Sequence, residues 1–308
     1  MSSPSEVRVG TRRSALARTQ SQWVATALAT LMDRPVRLVG ITTEGDVRSG
    51  PLTSIGGTGV FVSALREALL GGAVDLAVHS LKDLPTAPAT GLTLAAVPRR
   101  EDPRDVLVTA DGRTLQALPP GARVGTGSPR RRAQLLHARA DLDVRGVRGN
   151  VDSRLRLVAE GRLDAVVLAW AGLSRLDLLG HPHAVLGREV MLPAPGQGAL
   201  AVEARATLGD EDPGLGAALA ELEDAVTRRC VTAERSLLAT LSAGCTAPVG
   251  ALAVPSGTVV SLTAGVFGAD RAVLATQDGD PGHPEGLGAD VASLLLDEGA
   301  SDLIANTL

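Results

Sequence analysis

Apolar runs along this chain alternate between two periods. Short β-branched or leucine-rich runs occur at Val7–Gly10, Val36–Ile41, Asp75–His79, Leu92–Val97, Val124–Gly125, Asp143–Val147 and Ala165–Ala169. Between them, apolar residues recur at helical spacing over Leu16–Met32, Val60–Leu70, Pro129–Arg139 and Val151–Gly161. Strands alternating with helices predict βαβ units and a largely parallel sheet. The order changes beyond residue 215. One long helix is expected over about 217–242, then short strands near 249–254, 258–267 and 271–277, then a helix near 286–298. This tail reads as a separate α+β domain.

A weak internal echo divides the first part. Val9-Gly10-Thr11-Arg12-Arg13-Ser14 resembles Val124-Gly125-Thr126-Gly127-Ser128-Pro129. Leu65-Arg66, Gly72 and Asp75-Leu76-Ala77-Val78 resemble Leu155-Arg156, Gly161 and Asp164-Ala165-Val166-Val167. Any two βαβ units share some of this, yet together the pairs suggest two similar α/β lobes facing each other across a cleft. The stretch Thr42 to Gly59 is rich in Gly, Ser and Thr and has no period; it reads either as a lid or as a floppy insert.

Composition narrows the class. The chain has 308 residues, room for two or three domains. Its 44% hydrophobic and 21% charged content is that of a soluble globular protein. Aromatics are limited to Trp23, Trp170, Phe61 and Phe267, so platforms for stacking bases are missing. With a net charge of −4, this argues against a nucleic-acid partner. The N-terminus lacks the pattern of a secretory signal, and the apolar run Leu163 to Leu173 is too short to span a bilayer. Two cysteines make no disulfide framework. A reduced, cytoplasmic protein without a membrane partner is expected.

Charge is unevenly placed. Arg123 to Arg156 holds nine arginines against Asp141, Asp143 and Asp152. Such a field concentrates anions. Ser128-Pro129-Arg130-Arg131 reads as a helix start, with Ser128 as N-cap and Pro129 in the first turn. Free N–H groups, the helix dipole and two guanidiniums there suit carboxylates or phosphates. Gly149-Asn150 with Arg148 and Arg154 reads as a second such point, and Ser14 with Arg12 and Arg13 as a third. A solvated basic face is the plainer alternative. No phosphate-binding P-loop pattern is present.

Three further residues stand out. The chain contains a single lysine among 30 basic residues, Lys82, beside Asp83 at the carboxyl end of a strand. Open α/β sheets place ligand chemistry there, and a compact ammonium is not interchangeable with a guanidinium. Cys230 falls on a helix's apolar stripe and reads as an inert packed thiol. Cys245 lies in a Gly- and Pro-flanked loop, exposed enough to be functional. Histidines are few, and His181-Pro182-His183 reads as a surface loop, so no metal site is expected.

The motifs occur together in a recognisable order. Val9 to Ser14, His79 to Pro85, Arg100-Glu101-Asp102-Pro103-Arg104-Asp105, Val124 to Arg131, Arg148 to Val151, Ala171-Gly172-Leu173 with Arg175, Leu192 to Ala199, Val231-Thr232-Ala233-Glu234-Arg235 and Gly244-Cys245 are co-linear over residues 7 to 250. The chain resembles the porphobilinogen deaminases, or hydroxymethylbilane synthases. The last 55 or so residues carry little of the pattern.

The resemblance implies an α/β fold: two periplasmic-binding-protein-like α/β lobes plus a smaller α+β C-terminal domain. The first lobe would take residues 1–98 with a return segment 200–216, the second 99–199, and the cofactor-attachment domain 217–308. It implies a monomer carrying a dipyrromethane cofactor on Cys245 through a thioether. Four porphobilinogens are then joined head to tail with loss of ammonia, and water releases the tetrapyrrole. It implies that Arg12, Ser14, Thr126, Ser128, Arg130, Arg131, Arg148 and Arg154, joined by Arg175, hold carboxylates of cofactor and substrate. Asp83, as a buried carboxylate, would stabilise the cationic pyrrole and shuttle protons, while Lys82 binds a carboxylate and positions Asp83. The chain departs from the pattern at Glu44, Ser54 and Thr58, where relatives carry basic residues, and at Pro129, where Leu is common. A non-catalytic two-lobed anion receptor and a thiol hydrolase using Cys245 with His79 are the competing readings.

Overall fold

The computed structural model describes residues 6–42, 62–244, 247–268 and 270–305. The chain divides into two compact units. One comprises residues 1–100 with 199–228, and the other 101–198 with 229–308.

The first unit is built on a five-stranded sheet. β1 (Val7–Thr11) pairs in parallel with β2 (Val36–Gly40) and β3 (Leu76–Ser80); β4 (Leu92–Ala96) forms an edge. α1 (Ala15–Met32) and α2 (Ser63–Leu70) supply the crossovers. Between β3 and β4 the return strand, β10 (Leu200–Arg205), enters antiparallel to both. Each sheet face has its own core. Val24 and Leu28 of α1 meet Val7, Val9, Leu76 and Val78 on one side. Leu65 and Leu69 of α2 meet Val74 and Ala77 on the other. A side chain as fully buried as Leu28 contributes about 2 kcal/mol of apolar transfer.

The second unit repeats the plan. β5 (Asp105–Thr109), β6 (Arg123–Gly125), β7 (Asp143–Arg145), β8 (Ala165–Ala169) and β9 (His183–Leu186) form a sheet in the order β7-β6-β8-β5-β9, with β5 antiparallel to both neighbours. The first sheet's order, β2-β1-β3-β10-β4, is the same arrangement. α3 (Pro129–Ala138), α4 (Val151–Ala159) and the short α5 (Trp170–Arg175) complete it. The sequence echo is therefore structural: β1 matches β6, and β3 matches β8. It extends to a staple at the strand entrances. Arg8 N and Nη2 donate to Asp75 at 2.8 and 2.7 Å, and Arg123 N and Nη2 donate to Asp164 at 2.7 and 2.9 Å.

The single helix expected over about 217–242 is broken. After α6 (Leu208–Glu211) come α7 (Pro213–Leu222) and α8 (Ala225–Thr240), interrupted at Glu223-Asp224. Both acids take up backbone donors: Glu223 accepts from Val97 N at 2.6 Å, and Asp224 caps α8 by accepting from Thr227 N at 2.7 Å. Leu215, Ala218 and Leu219 of α7 join the core of the first unit.

The tail forms an antiparallel meander, β11 (Val249–Ser256), β12 (Val259–Phe267) and β13 (Ala272–Gly279), with α9 (Pro284–Asp297) and α10 (Ala300–Ala305). Leu237 of α8, Leu241 just beyond its end, and Val291 and Leu295 of α9 share one core with the strands. Cys230 lies in that core, as its place on the apolar stripe predicts.

Within the second unit, this tail is pinned to the segment before β10. Ala251 N donates to Pro193 O at 2.9 Å, and Leu192 packs with Leu252 and Phe267. Glu234 of α8, fully buried, accepts from Gly196 N at 2.6 Å and Ala253 N at 2.9 Å. At the end of the segment Gly198 has φ +89°, and a Cβ there would lie 2.4 Å from Glu101 O. No other residue fits that turn.

Candidate functional site

In the first unit, β1 and β3 end side by side, and their following turns carry the polar residues. Ser14 caps α1, accepting from Ala17 N at 3.3 Å. β3 runs into a single 3-10 turn, Leu81–Asp83, which buries Leu81 and lifts Asp83 outward. An open cavity at these strand ends is lined by Arg12, Ser14, Gln20, His79, Ser80 and Asp83. Asp83 is exposed, not buried as the sequence reading holds, because the turn carries it beyond the strand end. Lys82 beside it is half-buried.

Gln20 is missed by the sequence reading. It is buried in α1 and exchanges hydrogen bonds with Ser80 Oγ at 3.0 and 3.2 Å. The signal is a polar residue on the apolar stripe of Val24 and Leu28, one turn apart each time.

The second unit gathers the arginines. Ser128 caps α3, its Oγ 3.4 Å from Arg131 N, and Asn150 caps α4 by accepting from Ser153 N at 2.9 Å. Both expected helix starts therefore form. Thr126 is buried and accepts from Ser128 N at 3.2 Å. Gly127 lets the backbones touch: a Cβ there would meet Val147 O at 2.6 Å.

Arg130 and Arg131 leave the helix start for the interior. Arg130 Nη2 donates to Asp105 Oδ2 at 2.8 Å and Arg131 Nη2 to Asp105 Oδ1 at 2.7 Å. Gln197 Nε2 also donates to Oδ1, at 2.8 Å. Asp105 is missed by the sequence reading; an acid opening the apolar strand Val106-Leu107-Val108 is the signal. Burial pushes the Arg130 guanidinium below its ordinary pKa.

Arg154 of α4 has no ion-pair partner among the described residues, and its Nε is buried without a hydrogen bond. Burial first, and then the charge of Arg131, hold its pKa down. The Nε atoms of Arg130 and Arg131 are likewise buried and unsatisfied. Arg130 and Arg131 thus share one internal carboxylate and Arg154 has none among the described residues, which leaves a surplus of buried positive charge. Arg148 is exposed beside Gly149. Arg175 is directed elsewhere: its Nη2 donates to Gly198 O at 2.6 Å. Burial lowers its pKa, opposed by the charge of Glu101.

Cys245 and the stretch 43–61, with the lid and its departures at Glu44, Ser54 and Thr58, lie outside the described residues. The ends of the cysteine loop are fixed: Ala243 and Val249 are buried, and Ala247 N donates to Gly244 O at 3.0 Å. Among the described residues no cluster of His, Cys, Asp and Glu could hold a metal.

Comparison with known proteins decides the family. Residues 7–212 match the family described as porphobilinogen deaminase, dipyromethane cofactor binding domain, and residues 228–297 match its C-terminal domain. The chain belongs to the porphobilinogen deaminase family. It is 52% identical to porphobilinogen deaminase 1 of Streptomyces coelicolor, over 97% of each chain. It is 48% identical to the porphobilinogen deaminase of Thermobifida fusca, over 99% of this chain and 97% of the relative. Among solved structures, the methionine binding protein MetQ aligns at 12% identity with a TM-score of 0.44, covering 70% of this chain and 89% of that one. Family membership sets aside the receptor and hydrolase readings.

Proposed function

We propose that this chain condenses four porphobilinogen molecules head to tail into the linear tetrapyrrole hydroxymethylbilane, releasing ammonia at each joining. The growing product is a polyacid, since every unit carries an acetate and a propionate. The observation that carries the reading is the guanidinium surplus of Arg130, Arg131 and Arg154 over Asp105, with three buried Nε donors lacking acceptors. Those donors fit the carboxylates of a dipyrromethane. When bound, that group supplies the pyrrole carbon on which the chain is extended.

Cys245 is the proposed attachment point, and residues 217–308 the domain that presents it. Arg12, Ser14, Thr126, Ser128, Arg130, Arg131, Arg148, Arg154 and Arg175 are proposed to bind carboxylates. Asp83, exposed at the cavity rim, is proposed to face the cationic pyrrole nitrogen and to accept the proton that leaves the pyrrole carbon. Lys82 holds a carboxylate next to it. The working form is proposed to be a cytoplasmic monomer without nucleic-acid or membrane partners. Among the described residues no helix is long and apolar enough to cross a membrane.

The test is Asp83→Asn. We expect a folded protein whose turnover of porphobilinogen falls about 10²–10⁴-fold, as loss of a positioned proton acceptor requires. Turnover near that of the unaltered chain would refute the assignment.

A further inference from the structure

His79 occupies a setting that the proposed chemistry leaves unused. It lines the same cavity as Asp83, yet its side chain is only 5% exposed. Behind it stands a row of charge. Glu203 of β10 lies two residues along from Ala201, the register partner of His79, so the two side chains meet diagonally on one face of the sheet. His79 Nε2 is 3.1 Å from Glu203 Oε2. Arg66 of α2 closes the row from the helix side, its Nη2 2.8 Å from Glu203 Oε1 and its Nε 3.1 Å from Oε2.

Each member constrains the next. Burial alone would raise the Glu203 pKa, but the donors from His79 and Arg66 outweigh it and hold the group below its ordinary value. Glu203 is therefore an anion. An ionised oxygen 3.1 Å from an imidazole nitrogen requires a proton on that nitrogen, since two lone pairs would otherwise face each other. The contact is off the line of an ideal hydrogen bond, so its effect is chiefly electrostatic. Nε2 is thus the protonated position, and Nδ1 is the ring's remaining base. Nδ1 has no hydrogen-bond partner among the described residues and is not sealed from solvent. The other charged side chains lining its cavity are Arg12, from the turn after β1, and Asp83, from the turn after β3.

We propose that His79, fixed by Glu203 and Arg66, is a positioning residue that acts through Asp83 by taking over the proton Asp83 collects. The inference rests on the reading of Asp83 given above. In each joining, the C–N bond of the aminomethyl group breaks and its electron pair leaves with ammonia. A C–C bond forms to the pyrrole carbon. The C–H bond there breaks, its electrons stay in the ring, and its proton passes to the Asp83 carboxylate. Asp83 must be ionised again before the next unit arrives. The unprotonated ring nitrogen Nδ1 is the acceptor that takes the proton. From there the proton leaves with water or ammonia. No oxidant, reductant or further reactant is needed.

The experiment measures kcat and KM for porphobilinogen against pH in His79→Gln and Glu203→Gln, with intact mass reporting cofactor content. His79→Gln is expected to keep the cofactor mass and a KM within about threefold, to lose about 10- to 100-fold in kcat, and to lose the acid limb of the kcat profile. Glu203→Gln keeps the ring but frees its tautomer, and is expected to lower kcat less while displacing the same limb. A pH profile that neither variant moves overturns the proposal. So does loss of folding in both, which would make the row purely structural. If Asp83→Asn retains turnover, the reading of Asp83 fails; if Asp83→Asn is inactive while His79→Gln keeps the unaltered rate and profile, only the relay fails.

Discussion

Arg131 donates to Asp105 across 2.7 Å inside the second unit, where neither side chain is more than 7% exposed. The same carboxylate holds Arg130 with its other oxygen. Asp105 thereby fixes the two guanidiniums behind the start of α3 and cancels one of their charges. Removing it leaves two buried cations without a counter-ion. Asp105→Ala is expected to destabilise the chain by about 3–5 kcal/mol, the cost of breaking a buried pair. Asp105→Asn, which keeps an acceptor, falls between it and the unaltered chain. Urea denaturation measures both; an Asp105→Ala midpoint within error of the original would contradict the arrangement.

Arg154 behaves oppositely. It lies near Arg131, with no carboxylate of its own among the described residues. Arg154→Gln relieves repulsion, so stability should change by no more than about 0.5 kcal/mol or rise. Cofactor loading or substrate capture should suffer, with KM for porphobilinogen up at least about tenfold, the value of one charge-assisted hydrogen bond. Intact mass and steady-state kinetics read the two effects. A destabilised Arg154→Gln with unaltered KM would make Arg154 a packing residue.

The twin staples predict an acid-sensitive window. Hydrogen bonds from the Arg123 side chain and backbone bring the Asp164 pKa to about 2 from its ordinary 3.8. A carboxyl group with a depressed folded-state pKa contributes stability above its unfolded value and loses it as pH falls through the folded value. The loss for this pair therefore runs from about pH 4 to about pH 2. Both partners are more than a third exposed, so the contribution is at most about 1 kcal/mol. Asp75 with Arg8 adds in the same direction. Asp164→Asn should flatten the pH dependence of the denaturation midpoint between about pH 4 and 2. A slope identical to that of the unaltered chain would contradict the assignment.

The strands and helices with clear periods were legible in the sequence. β1, β3, β8, α1 and α3 lie where the apolar pattern puts them, because each buries its face within its own lobe. The helix caps at Ser14, Ser128 and Asn150 were also legible, since a cap is a local event. Hidden from local pattern were the antiparallel strands β5 and β10 and the pairings they make. Their pairing depends on chain segments far apart: Arg205 of β10 meets Leu92, and Asp105 of β5 meets Ala169. For the same reason the acids Asp105 and Glu203 were not singled out, although each stands in an apolar strand where an acid requires a buried cation. The exposure of Asp83 is not legible in the sequence because a 3-10 turn, with no apolar period of its own, sets it.

The most direct measurement is the intact mass of the freshly purified protein beside that of Cys245→Ser. The account predicts an excess over the sequence mass equal to two condensed pyrrole units, absent in Cys245→Ser, with further units appearing on the unaltered chain when porphobilinogen is added. An unmodified chain, or an excess that survives Cys245→Ser, would contradict it.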